Sequence, residues 1–283
     1  MEQISIFDFT RETFSIDKPI RLIELFAGYG SQAMALERLG ADFEHYLAID
    51  IDKYATASYN AVHGTDFPVK DIKETSGKDL NIVDTDKYCY IMTYSFPCTD
   101  LSVAGRMMGM AENSGTRSSL LWEVKRLLEE TENLPQVLVM ENVTMVHSEE
   151  NLLHFKKWLD FLEQLGYSNY VEDLNAKNYG IAQNRDRCFC VSLLGDYNYK
   201  FPNEVELRYV MKDYLEEEVG ESYYLNTEKA QKLIDKLIAD GTLDDRQTDR
   251  QTDRQTGNKW IIDTDGTIEG IYVIEEDEGC NNS

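Results

Sequence analysis

The sequence predicts an α/β fold built on a mainly parallel sheet. Three observations carry that prediction. Short apolar runs recur along the chain, amphipathic runs of helical length separate them, and glycine or polar residues mark the junctions. Such alternation implies βαβ units, because parallel neighbours need a crossover between them.

Residues 20–26, Ile-Arg-Leu-Ile-Glu-Leu-Phe, read as the first strand, and residues 27–31, Ala-Gly-Tyr-Gly-Ser, as a turn. Gln32 to Leu39 reads as a helix stopped by Gly40. Phe43 to Ile49 is the second strand, ending at Asp50, and Asp52 to Val62 the second helix. Tyr88 to Tyr94 is another strand, Leu120 to Glu130 a helix by spacing, and Gln136 to Met140 a short buried strand. Asn151 to Leu165 is an amphipathic helix with Leu152, Phe155, Leu159 and Leu162 on one face, and Arg187 to Leu194 closes the series as a strand. Beyond residue 200 the pattern weakens to one helix, Thr227 to Ala239.

Residues 1–200 therefore form the expected core domain, and residues 201–244 begin a second region. Residues 245–256 read Asp-Arg-Gln-Thr three times, and residues 257–283 make an acidic tail. A four-residue polar repeat builds no core, so it reads as a solvated linker. The tetranucleotide GACA encodes this tetrapeptide in every frame, so the tract also reads as a slippage-prone simple repeat; mixed codons in the gene would reject that.

The 283 residues suit one or two domains, and 42% hydrophobic with 28% charged residues excludes a wholly disordered chain. Net charge is −24, and half of the excess acid lies after residue 200. That balance disfavours a globally basic nucleic-acid binder but not a local basic groove, for which Arg106, Arg185 and Arg187 are candidates. Apolar runs fall far short of the ~20 residues of a membrane span. The start, Met1-Glu2-Gln3, lacks a signal pattern, and five cysteines without paired zinc spacing fit a reducing cytoplasm. Cys188 and Cys190, two apart in a strand, read as small buried hydrophobes.

Four motifs carry chemistry. In Glu24-Leu25-Phe26-Ala27-Gly28-Tyr29-Gly30, glycines between a strand and a helix let a ligand approach the backbone. Asp50 ends the next strand, where a carboxylate can accept both ribose hydroxyls. Ala33 follows where a dinucleotide turn would carry a third glycine, so another adenosine cofactor fits better; an ordinary βα turn is the alternative. In Phe96-Pro97-Cys98-Thr99-Asp100-Leu101-Ser102, a cysteine follows a strand where open sheets place their sites, and its thiolate is the strongest nucleophile available. Glu141, in Val139-Met140-Glu141-Asn142-Val143, follows an apolar run and could protonate a ring nitrogen, or else serve as a helix-start acid with Asn142 as cap. Gln183, Arg185 and Arg187 alternate along an extended segment, sharing a face that suits a phosphate or carbonyl oxygen, or a solvated edge strand.

Together, in this order, the motifs resemble those of the cytosine-5 DNA methyltransferases, from about residue 20 to 195. The resemblance implies a Rossmann-like, S-adenosylmethionine-dependent methyltransferase fold with an incomplete second recognition region. Phe26, Ala27, Gly28, Tyr29 and Gly30 are similar to the family's cofactor turn. Asp50 and Ile51 resemble its ribose-binding position, and Asp71-Ile72 its adenine-contacting pair. Pro97-Cys98 matches the nucleophile, and Pro97 with Leu120, in the run Arg117 to Leu121, borders the cofactor. Glu141-Asn142-Val143 and Gln183-x-Arg185-x-Arg187 match the remaining motifs, which implies that Pro97, Ser102, Asn142, Val143 and Gln183 face the substrate base. No metal is implied.

On that resemblance, Cys98 attacks carbon 6 of a cytosine flipped out of double-stranded DNA. Glu141 holds ring nitrogen 3, and Arg187 with Arg185 binds the base oxygen or a phosphate. Carbon 5 then takes a methyl group from S-adenosylmethionine. The family's closing block, a Gly-Asn-Ser type helix, has no convincing match, which leaves three expectations: a partner chain supplying the missing half, truncation by slippage, or a minimal enzyme. A tRNA methyltransferase and a non-catalytic subunit are the rival functions. Restriction-modification or phage self-protection is the expected setting.

Overall fold

The structure, a computed structural model, describes residues 11–98, 110–112, 115–209, 211–214, 216 and 227–240. Its centre is a six-stranded sheet of β2 (Ile20–Leu25), β3 (Phe43–Ile49), β4 (Cys89–Tyr94), β5 (Val137–Asn142), β6 (Tyr167–Asn175) and β7 (Asp186–Leu194), with spatial order β3-β2-β4-β5-β7-β6. Before it lies β1 (Glu12–Thr13), which pairs with β8 (Tyr197–Asn198) outside the main sheet. Strands β3, β2, β4 and β5 are parallel, and β7 runs antiparallel to both β5 and β6. The chain leaves β2 toward β3 on one side and returns to β4 on the other, so a topological switch point lies between β2 and β4.

Register brings the parallel strands to one level: Leu25 pairs with both Ile49 and Tyr94, and Tyr94 with Met140. The residues that follow these four positions emerge together at the carboxyl end of the sheet.

Alternation along β2 feeds two cores. Ile23 and Leu25 join a cluster with Leu121, Val124, Leu127 and Leu128 of α3 (Leu121–Glu130) and Phe155, Trp158 and Leu162 of α4 (Leu152–Gln164). Ile20 and Leu22 face the other way, with Ala33 and Leu36 of α1 (Ser31–Leu39). The sheet is therefore covered on both faces, which is why β4 is buried at every position. On α4 the buried face centres on Phe155, Trp158 and Leu162, while Leu152, expected on that face, is 38% exposed.

Local signals set the helix bounds. Asp52 caps α2 (Lys53–His63) by accepting the Tyr54 N–H at 2.7 Å, and Gly40 and Gly64 end α1 and α2 in left-handed conformations. The 3₁₀ turn Ile72–Glu74 is tied to α3 by Arg126, whose guanidinium donates to the Ile72 and Thr75 carbonyls at 3.0 and 2.9 Å. After β8 the chain runs back along the molecule through Tyr199 and Phe201, half-buried against the sheet, to Val205, whose N–H donates to the Asn178 carbonyl at 2.8 Å. Strand β6, which was not expected, is an edge strand. Glu141 and Asn142 lie within β5, two residues beyond the expected strand end.

The chain divides into one unit of Met1–Tyr179 with Asn184–Glu206 and another of Gly180–Gln183 with Leu207–Ser283. In the second unit Thr227 caps α5 (Glu228–Ala239) through its hydroxyl oxygen, which accepts the Ala230 N–H at 3.1 Å, at the position expected for a helix. The repeat 245–256 and the tail 257–283 lie outside the described residues.

The turn after β2 holds three positive φ values within five residues. Phe26 has φ of 59°, a left-handed value uncommon for a bulky residue, and Gly28 and Gly30 follow at 57° and 83°. Beneath the turn, Glu24 is fully buried; it accepts the Tyr59 hydroxyl proton at 2.5 Å and the Ala33 N–H at 3.4 Å. Burial raises the Glu24 pKa above the ordinary carboxylate range, although both hydrogen bonds oppose that shift. Burial and the neighbouring Glu24 also raise Tyr59, which keeps its phenol protonated as the donor. A Cβ on Gly30 would lie 2.2 Å from His63 Nε2 and 2.8 Å from the Tyr59 ring.

Gly30→Ala should therefore cost about 2–4 kcal/mol of stability, the sum of overpacking and left-handed strain, read by urea unfolding. A loss below about 0.5 kcal/mol would mean that α2 moves away freely. A carboxyl with a raised folded-state pKa contributes stability that is present below its unfolded pKa and lost as pH rises through the folded value. The stability of wild type relative to Glu24→Gln should therefore fall as pH rises from the ordinary carboxylate range toward neutrality. A pH-independent difference in urea unfolding would show that Glu24 does not titrate there.

Candidate active site

Three segments meet the carboxyl end of the parallel strands. The first is the glycine turn. Ala27 is buried, Tyr29 is 56% exposed, and a Cβ on Gly28 would meet nothing within 4 Å, so open space lies above the backbone there. Asp50, one residue past β3, faces the same turn: its Oδ2 accepts the Gly28 N–H at 2.9 Å and its Oδ1 the Asp52 N–H at 2.8 Å. A small pocket lined by Ala27, Gly28, Ala48, Asp50, Thr56, Tyr59 and Phe67 opens beside them. Ile51 is exposed at 67%. Asp71 caps its 3₁₀ turn through the Lys73 N–H at 2.9 Å, while the Ile72 side chain is buried in the core. Leu120, at the end of the 3₁₀ turn Ser118–Leu120, is half-buried against that core.

The second segment carries Cys98, four residues past β4. Its approach is held at two successive carbonyls. The buried Asn142 side chain donates to the Phe96 carbonyl at 3.0 Å, and the Ser118 hydroxyl donates to the Pro97 carbonyl at 2.9 Å. Asn142 Oδ1 in turn accepts the Val143 N–H at 2.9 Å, so the Asn side chain is fixed from its own loop. Asn142 thus holds backbone rather than capping a helix. Val143, half-buried, leads into the 3₁₀ turn Thr144–His147.

Burial separates the cysteines. Desolvation pushes Cys89 and Cys190 up to about 11 and Cys188 higher still, so these thiols stay protonated and inert. Cys98 is half-buried on its loop, the accessible thiol among the described residues.

The third segment joins β5 and β7. Glu141 pairs in register with Phe189, which places Arg187 diagonally across the strand pair on the same face. Arg187 Nε lies 3.1 Å from Glu141 Oε1, with the two side chains 23% and 25% exposed. A half-exposed pair of this kind keeps the carboxylate oriented and still open to a ligand. Arg185, just before β7, is exposed, and its N–H donates to Asn175 Oδ1 at 3.3 Å. Gln183 sits in a bend closed by its N–H to the Ile181 carbonyl at 2.7 Å, within the second unit. The extended run expected from Gln183 to Arg187 is therefore broken at its first member. Ser102 and Arg106 lie outside the described residues.

Sequence reasoning missed the supporting residues. Ser118 and Asn142 act on a loop 21 and 46 residues away, and the cluster under the turn joins His45 of β3 to Tyr59 and His63 of α2. The buried Glu24 was the one local signal, a charged residue inside an apolar strand.

The geometry agrees with what the chain is similar to. The profile described as C-5 cytosine-specific DNA methylase matches residues 20–277, well past the 20–195 expected from the motifs. The chain is 33% identical to the type II methyltransferase M2.ScrFI of Lactococcus lactis subsp. cremoris, over 73% of this chain and 70% of that protein. It is 32% identical to the orphan methyltransferase M.SssI of Spiroplasma monobiae, over 64% and 61%, and 33% identical to the type II methyltransferase M.HhaI of Haemophilus parahaemolyticus, over 69% and 57%. Among solved structures it is similar in fold to the Dnmt2 methyltransferase of S. pombe, with TM-score 0.60 and 23% identity over 76% of this chain and 65% of that one. It is likewise similar to the Entamoeba histolytica methyltransferase EhMeth, with TM-score 0.61 and 22% identity over 74% and 63%. The chain spans between 57% and 70% of the length of these three sequence relatives. Its methyltransferase fold, its ordered motifs and the breadth of the profile match place the chain in the C-5 cytosine-specific DNA methylase family.

Proposed function

We propose that this chain transfers a methyl group to carbon 5 of cytosine in double-stranded DNA, with Cys98 as nucleophile and S-adenosylmethionine as donor. The observation that carries the reading is the half-buried Cys98 thiol, on a loop pinned by Asn142 and Ser118, at the same end of the sheet as the Glu141–Arg187 pair. Relatives named as type II methyltransferases support DNA as substrate and restriction-modification or self-protection as the setting. Free cysteines fit a reducing cytoplasm, and no helix among the described residues is long and apolar enough to cross a membrane. We assign residues 1–200 to catalysis and residues 201–244 to the start of target recognition, with a second chain as a candidate source of further recognition elements. On the same reading, 245–256 is a linker and 257–283 a tail.

The Cys98 thiolate forms a bond to carbon 6 of the flipped base, and the ring electrons move toward carbon 5 and nitrogen 3. Glu141 places a proton or hydrogen bond at nitrogen 3, and Arg187, paired with it, holds the carboxyl in place and reaches the base oxygen; Arg185 supports it. On this reading Pro97, Ser102, Val143 and Gln183 face the base, while the buried Asn142 acts on it through the Phe96 carbonyl that it holds. S-adenosylmethionine supplies the electrophilic methyl group. The residues present fit that donor: the space above Gly28 admits a ligand against the backbone, and Asp50 offers carboxylate oxygens to a ribose. Phe26, Ala27, Tyr29, Gly30, Ile51, Asp71, Pro97 and Leu120 complete its surroundings on this reading, with the buried Ile72 contributing backbone only. Carbon 5 takes the methyl group as the donor's sulfonium–methyl bond breaks and leaves its electron pair on the donor sulfur. Carbon 5 then gives up its proton to solvent, the C5–H pair re-forms the ring double bond, and the Cys98 sulfur leaves carbon 6 as thiolate with the C–S pair.

Transfer of labelled methyl groups from S-adenosylmethionine to DNA and to tRNA tests this. The purified chain should label cytosine in DNA, Cys98→Ala should label none, and Glu141→Gln should be slower by about 10²–10⁴-fold. Labelling retained by Cys98→Ala, or confined to tRNA, would overturn the reading. Labelling that needs a second polypeptide would place target recognition on that partner.

A further inference from the structure

Behind the glycine turn, Glu37 of α1, His45 of β3 and His63 at the end of α2 bring three ligand atoms within 4.8 Å of one another. We infer that these three residues form a site for a divalent cation of the zinc class, built into the support of the turn. His63 Nε2 lies 3.0 Å from the Tyr29 carbonyl, which can only accept, so the ring proton sits on Nε2. In the neutral ring, the form a metal ligand takes, His63 Nδ1 then presents a lone pair toward Glu37 Oε1 at 3.1 Å, where a cation would sit between two acceptors.

His45 presents the same conflict. Tyr59 gives its one proton to Glu24 at 2.5 Å, so its oxygen accepts from His45 Nδ1 at 2.9 Å. His45 Nε2 is then a second lone pair, 3.8 Å from the same Glu37 oxygen. If Glu24 keeps its own proton, the chain reverses at His45, but His63 is unaffected. Burial and the neighbouring His63 hold His45 below the ordinary imidazole range, which keeps it neutral, as a ligand must be.

A cation satisfies all three atoms at once. Ligands about 2.0–2.1 Å from a tetrahedral zinc lie roughly 3.3–3.5 Å apart, and the observed 3.1 and 3.8 Å bracket that edge. Each histidine already has a partner on its other nitrogen, the usual arrangement for metal-bound imidazoles. The Glu37 side chain is 48% exposed, so the fourth position opens to water. Two nitrogens and one oxygen favour zinc, cobalt or nickel over magnesium or calcium. By contrast, His147 Nε2 donates to Asp173 at 2.9 Å beside Cys188, so that cluster needs no ion. A bound cation would fix the His63 ring, and with it the Tyr29 carbonyl and the floor under Gly30.

The test is titration of the tag-free full chain with Co²⁺, followed by its visible absorption, and then displacement by Zn²⁺. The expected result is one saturable equivalent with the spectrum of four- or five-coordinate cobalt and no thiolate band. Glu37→Gln, at an exposed position, should weaken binding at least about 10-fold. Zn²⁺ should raise the unfolding temperature of wild type more than that of this variant. His45→Gln supplies a second ligand variant with the same expected loss. Absence of saturable binding would overturn the inference. Unchanged affinity in both variants, or a thiolate band marking Cys188, would overturn it by placing the metal elsewhere. None of these readouts depends on methyl transfer.

Discussion

The common level of four parallel strand ends governs this molecule. Leu25, Ile49, Tyr94 and Met140 lie in register across the sheet, and each proposed functional segment begins within a few residues of one of them. Hydrogen bonds spaced by the ladder do the alignment, so residues far apart in the chain arrive together without contacting one another directly. The antiparallel strand β7 adds Arg187 to the same end by entering the sheet where its neighbours leave it. A one-residue slip between β4 and β5 would turn Glu141 to the opposite face and break its pairing with Arg187.

The end of the sheet is also where the backbone is least relaxed. Phe26, Gly28 and Gly30 all hold positive φ, and a turn of that shape persists only when its surroundings determine it. Glu24 and Tyr59 supply that determination from beneath, and His63 grips the Tyr29 carbonyl from the side. The buried carboxyl is costly by itself, so its two hydrogen bonds are what make the position tolerable. The Cys98 approach follows the same logic, with carbonyls rather than torsions fixed by neighbours.

The alternation of elements and the order of motifs were legible in the sequence because both are local. Apolar runs marked β2 to β5, and glycines marked where helices stop. Strand β6 escaped because Tyr-Ser-Asn-Tyr-Val-Glu-Asp-Leu-Asn is a mixed polar edge strand paired on one side only, so no buried run announces it. The extended run expected through Gln183 is interrupted because alternation in the chain does not guarantee an extended backbone, and a bend intervenes. The Asn142 clamp and the His45–His63 cluster join residues on separate elements, and no spacing rule reports such contacts.

The return of the chain after β8 has a consequence for reach. Strand β7 carries the chain away from the thiol by about 30 Å, at 3.3 Å for each of its nine residues. Left there, the chain would end at the opposite end of the sheet from the segment that carries Cys98. The stretch through Tyr199 and Phe201 to Val205 reverses that displacement and anchors beside Asn178, in the β6–β7 connection. Within the first unit the chain thus ends its course beside the connection into β7, at the level of the parallel strands' carboxyl ends, rather than at the opposite end of the sheet.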